Sequence, residues 1–196
     1  MFLVLAGCLD PQRTDPVGIT PDPGNPQPLP SVASVTDVMP DYDPAYFGGS
    51  RWAGSSDDTY GTRCSTRGIV LAQHALASGN APADLDADDC QDDADFRDLY
   101  TGETVTPLTE DAEVDHVLAQ ADAWRMGAWR WDRERLWAFR NDQANLGATF
   151  GSVNGAKSDR PPRFARDEWV PSDPDARCAY GRIYQATAQR WQLQLP

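Results

Sequence analysis

The chain of 196 residues holds two histidines, and only the second stands among other groups able to do chemistry. His116 follows Asp115 directly in Glu113-Val-Asp115-His116-Val117. Downstream come Asn141-Asp142-Gln-Ala-Asn145-Leu146, and then Val153-Asn154-Gly-Ala-Lys157-Ser158-Asp159-Arg160-Pro161. An imidazole with a pKa near ~6.5 can take a proton from water at neutral pH. Carboxylate and carboxamide oxygens are hard donors suited to Mg²⁺ or a similar cation. On an extended segment neighbouring side chains point to opposite faces. Asp115 and His116 can therefore serve one reaction only from a strand end or a bulge. His74 sits in a predicted helix beside Leu71 and Leu76 and reads as a surface or half-buried structural residue.

The elements that must position these groups follow from patterning. Ser65 to about Ala77 reads as a helix opened by a Ser/Thr cap. Residues 78–95 are loop-like and dense in aspartate. Asp84-x-Asp86-x-Asp88 has calcium-loop spacing, but Asp89 stands at the sixth position where glycine is expected, and Asp95 at the twelfth. A solvated acidic loop is the simpler reading. Glu103–Pro107 and Ala112–Leu118 alternate as short strands joined through Leu108–Asp111. Residues 119–128 and 132–140 read as helices, and Asn145–Phe150 as a short strand. Ser152–Lys157 starts a small helix limited by Pro161-Pro162. A last helix runs from Asp173 or Asp175 to Gln192, with Tyr180, Ile183, Tyr184, Thr187 and Trp191 along one face. Trp124, Trp129, Trp131, Trp137 and Phe139 alternate with arginines. They could stack bases, but they are better read as core with the arginines on the wet face.

Residues 9–45 carry nine of the 16 prolines and no periodic apolar run. Such a stretch cannot bury enough surface to offset its ordering entropy, so it reads as a disordered or extended tether. All seven tryptophans follow it, so residues 46–196 are expected to form one domain. Residues 1–8 end in Leu5-Ala6-Gly7-Cys8, which looks like a truncated signal with a bacterial lipobox. Cys8 would then carry a lipid that holds an exported protein to a membrane. Of the other cysteines, Cys64, Cys90 and Cys178, two would form a disulfide, and the spacing leaves open which. The net charge of −13 is uneven: residues 1–115 carry 21 acids against five arginines, while residues 116–196 carry 12 basic against nine acidic residues. Affinity for a polyanion comes from local cationic contacts, so the mildly basic second half keeps a nucleic-acid partner open.

The order Asp-His, then Asn-Asp-x-x-Asn-Leu, then Asn-x-x-Lys-x-Asp resembles the HNH endonucleases. It is similar above all to exported bacterial HNH proteins related to the C-terminal domain of GmrSD-type restriction enzymes. The last segment also looks like the Asn-x-x-Lys-Ser-Asp run in the HNH domain of RNA-guided CRISPR nucleases. Phe47-Gly48, Trp52, Cys64-Ser-Thr66-Arg67 and Asp98-Leu-Tyr100-Thr101-Gly102 resemble family segments. So do Ala123-Trp124-Arg125-Met-Gly127-Ala128, Trp169-Val170-Pro171 and Arg177-Cys178-Ala179-Tyr180, all in family order. The resemblance spans about residues 45–195. Glu113 stands where aspartate is commoner, and no proline follows soon after His116.

The resemblance implies an α+β fold, with an HNH (ββα-metal) hairpin-helix unit embedded in a mainly helical small domain. It implies metal-dependent hydrolysis of phosphodiester bonds in nucleic acid; DNA with little sequence preference is the expected substrate, because no reading module is recognised and an exported enzyme meets foreign or extracellular DNA. His116 would be the general base and Asn145 would orient its ring by a hydrogen bond. Asp115 and Asn154 would bind one Mg²⁺, Mn²⁺ or similar divalent cation per site. Lys157, Arg125 and Arg130 would contact backbone phosphates. The protein would be exported, as an envelope lipoprotein or in secreted form, and no protein partner is inferred. Two rivals are a catalytically silent envelope lipoprotein that keeps the scaffold for binding, and a calcium module on residues 84–95.

Overall fold

The computed structural model describes residues 38–54, 65–74, 95–105, 112–162 and 169–194. Cys8, residues 84–94, Cys64, Cys90 and the 108–111 connection lie outside these residues. Among the described residues no helix is long and apolar enough to cross a membrane.

The fold mixes helices with two small antiparallel sheets. Helix α1 (Thr66–Gln73) opens where the Ser65 hydroxyl accepts from the Gly68 N–H, the cap its sequence predicts. It ends at His74, which is 6% exposed. His74 is therefore a core residue rather than a surface one, and burial lowers its pKa to about 4. Strands β1 (Phe96–Arg97) and β2 (Thr104–Val105) pair with each other. Strand β3 (Ala112–His116) pairs with β4 (Leu146–Phe150), in the register Asp115 to Gly147 and His116 to Leu146.

This pairing corrects the expectation that residues 103–107 and 112–118 form one hairpin. The reason is burial. Val114 packs with Val70, Leu71, Phe96, Leu146 and Ala148. On the other face, Asp115 meets Tyr100 and Lys157. A strand covered on both sides needs an apolar partner of matching length, which Leu-Gly-Ala-Thr-Phe supplies.

Asp98 binds the β1–β2 turn to this sheet. Its carboxylate accepts from the N–H groups of Tyr100 and Thr101, both at 2.8 Å, and from the Thr149 hydroxyl and the Phe150 N–H, both at 2.7 Å. The turn lies flat on β4, where a Cβ on Gly147 would come within 2.4 Å of Leu99 Cδ2. That close approach is what requires glycine opposite Asp115.

Helix α2 (Gln120–Arg125) is shorter than the stretch to residue 128 expected from sequence. Gly127, with φ 118°, breaks it into a 3-10 turn at Ala128–Arg130. Helix α3 (Arg133–Arg140) is capped by Asp132. Helix α4 (Gly151–Lys157) follows β4 directly. Helix α5 (Pro174–Arg190) starts at Asp173, with proline in its first turn. Its buried face is Ala176, Tyr180, Tyr184, Thr187 and Ala188, with Ile183 and Trp191 at its margin. Cys178 on this helix is disulfide-bonded.

The main core gathers Phe47, Tyr100, Leu118, Trp124, Phe139 and Tyr180, with Trp129, Trp131 and Trp191 partly buried against it. The tryptophans between the arginines are thus packing residues. Residues 38–47 lie on α2: the Trp124 indole donates to the Pro40 carbonyl at 2.9 Å, and Tyr46 stacks on Trp124 at 4.9 Å. The end of the proline-rich stretch is therefore docked on the domain.

Candidate active site

His116 is the last residue of β3, where the strand stops dictating which face a side chain takes. Its ring lies between Trp52 (5.6 Å between centroids, 7° between planes) and Phe139 (6.4 Å, 11°). Nε2 is 2.8 Å from the carbonyl oxygen of Arg140. A carbonyl can only accept, so Nε2 carries the proton and Nδ1 keeps the lone pair. The Gln120 amide nitrogen lies 3.2 Å from the same nitrogen, a contact that is not a hydrogen bond while Nε2 carries the proton, and Gln120 Oε1 accepts from the Tyr42 hydroxyl at 3.4 Å. Burial lowers the His116 pKa to about 3; the bond to the Arg140 carbonyl works against this, while the charges of Arg140 and Lys157 add to it. The ring is neutral at physiological pH.

Asp115 is 6% exposed. Its Oδ2 accepts from the Tyr100 hydroxyl at 2.5 Å and from the Lys157 ammonium at 2.9 Å. Burial raises its pKa, and Lys157 and Tyr100 pull it back down. Tyr100, buried beside this carboxylate, is held well above its usual range, by desolvation first and the Asp115 charge second.

Lys157, expected to contact phosphate, is enclosed in the structure. Its side chain is 0% exposed, and its ammonium also donates to the carbonyls of His116 (3.0 Å) and Ser158 (3.3 Å). Three donors meet three acceptors, which leaves none for a ligand. The cause is position: the last turn of α4 packs against the end of β3, and the four-carbon stem just spans the gap. Ser158 then takes φ 55°, ψ −132°, a conformation that costs on the order of 1–3 kcal/mol for a residue with a side chain.

Asn145 does not reach the imidazole. Its carboxamide accepts from the Leu118 N–H at 2.8 Å and donates to the Leu118 carbonyl at 3.0 Å. Its own carbonyl accepts from Val117 N–H at 2.8 Å. It fixes the chain just past His116, while the Arg140 carbonyl orients the ring. Asn154 donates to Glu113 Oε2 at 2.6 Å, on the strand face shared by residues 113 and 115. Arg125 pairs with Asp159 (2.8 Å) and Asp122 (3.2 Å). Arg130 lies over the Trp129 ring at 3.8 Å, and neither arginine lines the cavity.

That cavity, about 310 Å³, brings together Asp115, His116, Gln120 and Asp159 with Tyr42, Trp52 and Arg140. Sequence reasoning assigned no role to Tyr42, Trp52, Tyr100, Gln120 or Arg140. Trp52 and Tyr100 do fall in segments that resemble the family, but nothing local marks their contact with His116 or Asp115.

Among the described residues no cluster of three or more His, Cys, Asp or Glu side chains could hold a metal ion. The donors that are present still fit a hard cation. The side-chain partners of Asp115, Tyr100 and Lys157, both use Oδ2, and Asn154 spends its amide nitrogen on Glu113, so the Asn154 carboxamide keeps an uncommitted oxygen. Glu113, tied to Asn154, adds a carboxylate on the same strand face.

Comparison with known proteins bears on the same residues. The family described as GmrSD restriction endonucleases, C-terminal domain, matches residues 79–192. An uncharacterized secreted protein of Arthroderma benhamiae is 34% identical over 87 residues, which are 43% of this chain and 40% of that protein. The chain thus spans less than half the length of that relative. No solved structure matches.

Proposed function

The chain belongs to the family of GmrSD restriction endonuclease C-terminal domains, and from that premise we propose that it is a metal-dependent HNH-type nuclease hydrolysing phosphodiester bonds, DNA in preference to RNA. The observation that carries the reading is His116 at the cavity, with Nε2 committed to the Arg140 carbonyl and Nδ1 left bare. The unit that holds it, β3–β4–α4, is read as the ββα unit of that nuclease type.

In this reading Nδ1 accepts the proton of the attacking water. Its low resting basicity rises when an anionic phosphate enters, because the imidazolium then gains a counter-charge in a water-poor site. Asp115 and Asn154, with Glu113 behind them, would hold the divalent cation, and Lys157 and Tyr100 fix the Asp115 carboxylate in place. When bound, that cation would supply Lewis-acid stabilisation of the charge on phosphorus oxygens and on the leaving group. Low sequence preference fits a cavity whose described lining offers aromatic and charged groups. The secreted relative supports export, with lipid on Cys8 as the anchor.

The test uses the full chain, supercoiled plasmid and Mg²⁺ or Mn²⁺, with EDTA and His116→Ala as controls. Nicking abolished in both controls supports the assignment. Nicking that survives His116→Ala rejects His116 as the base. No cleavage of DNA or RNA with either metal would leave a silent binding scaffold.

A further inference from the structure

We propose that Arg140 is the phosphate-binding cation of this cavity, an inference that rests on the nuclease reading and gives its substrate anion a specific anchor. None of the three cations that sequence spacing nominates can do this. Lys157 is sealed and saturated, Arg125 is held by two aspartates, and Arg130 lies on Trp129. Among the described residues that line the cavity, Arg140 is the one cationic residue.

Three observations mark it. Arg140 is 7% exposed, yet no carboxylate of the described residues pairs with it. A buried charge without a counter-ion is costly, and burial lowers its pKa accordingly. Its remaining contacts pin it without neutralising it. Nε donates to the Arg51 carbonyl at 2.5 Å, and the guanidinium lies over the Trp52 ring at 4.4 Å. These hold one edge and one face of the planar group and leave the two terminal nitrogens, a fork matched to phosphate, uncommitted to protein acceptors. The same residue's carbonyl takes the proton of His116 Nε2. One residue at the end of α3 therefore orients the base through its backbone and offers the cation through its side chain. A phosphodiester held by Arg140 would share the cavity that His116 lines. Asp115 and Asp159 face the same space. They repel an anion unless it is bound by Arg140, or by Arg140 together with a cation on Asp115.

The test separates this inference from the nuclease reading. Full-chain Arg140→Gln and Arg140→Lys are assayed for plasmid nicking. In parallel, His116→Ala and His116→Ala/Arg140→Gln are titrated with a thymidine dinucleotide phosphodiester and with its neutral methylphosphonate analogue. The expected result is a kcat about 10²-fold lower for Arg140→Gln, the scale of losing one transition-state oxyanion donor. Arg140→Lys should be intermediate, because it keeps the charge but not the fork. The phosphodiester should bind at least tenfold more weakly once Arg140 is replaced, and the methylphosphonate equally to both proteins. If the Gln variant does not fold, Arg140→Ala with added guanidinium serves instead, and recovery of rate supports the role. Phosphodiester binding that ignores Arg140 overturns the inference even if the plasmid is cleaved. Absence of cleavage with Arg140-dependent phosphodiester binding retains it and rejects the nuclease reading.

Discussion

Replacing Lys157 with Met tests whether the site is built on a buried ion pair. The ammonium is enclosed, lies 2.9 Å from a carboxylate that is itself 7% exposed, and donates to two carbonyls. Methionine keeps most of the stem volume and removes the charge. Asp115 is then left with Tyr100 as its one side-chain donor, and the carbonyls of His116 and Ser158 lose a partner. Removing one member of a buried pair costs about 3–5 kcal/mol, chiefly because the other charge is stranded. For a chain of this size that corresponds to roughly 6–20 °C in Tm. Asp115→Asn in the same background removes the stranded charge, so the double variant should recover about 1–3 kcal/mol over the simple sum. Urea denaturation followed by tryptophan fluorescence measures both quantities. A loss below ~1 kcal/mol for Lys157→Met, with no coupling to Asp115, would mean the ammonium is solvated. It would then be free for phosphate, and the argument for Arg140 would lose its premise.

Stability should fall in acid. Both histidines have folded-state pKa values, about 4 for His74 and about 3 for His116, below the unfolded value. The unfolded chain therefore protonates first as pH drops. Their contribution is complete above pH ~6.5 and declines by about 1.4 kcal/mol per unit per histidine on acidification. It stops declining near pH 4 for His74 and near pH 3 for His116. Between pH 7.5 and 5.5 the pair removes about 2–3 kcal/mol, and a urea midpoint that does not move over that range refutes the burial argument. Asn145→Ala leaves both backbone groups of Leu118 unsatisfied and should cost about 2–4 kcal/mol. Its nicking rate should fall although the His116 Nε2 bond to Arg140 survives, and a stable variant of unchanged rate would show that Asn145 is dispensable.

How far the sequence could be read depended on whether a residue's partner lies nearby in the chain. The Ser65 cap, the helix ending at Arg140, the α4 segment and the buried stripe of α5 rest on contacts within a few residues, and all are where patterning puts them. The β3–β4 pairing was hidden because a five-residue strand carries no mark of which other strand it will meet. Family order nominated Asp115, His116, Asn145, Asn154 and Lys157, and it brings the first two and Lys157 into direct or near contact. It could not say which way each side chain turns. Asn145 and Lys157 are polar residues suited both to ligand contact and to backbone satisfaction, and only burial decides between the two.

Arg140 shows the same limit from the other side. In sequence it is one of several arginines on helices α2 and α3, all spaced to fall on the wet face. What sets it apart is helix termination. At the last position of α3 its carbonyl has no helical N–H partner, so that acceptor is free to take the His116 proton. The chain then turns through Asn141, whose Oδ1 accepts from Ala53 N–H and draws the Arg51–Trp52 segment over the guanidinium. Trp52 thereby stacks on both Arg140 and His116. The base, the cation and their shared aromatic wall thus depend on where one helix ends. A substitution that lengthens α3 by a turn should impair His116 and Arg140 together, which no change to either side chain alone would do.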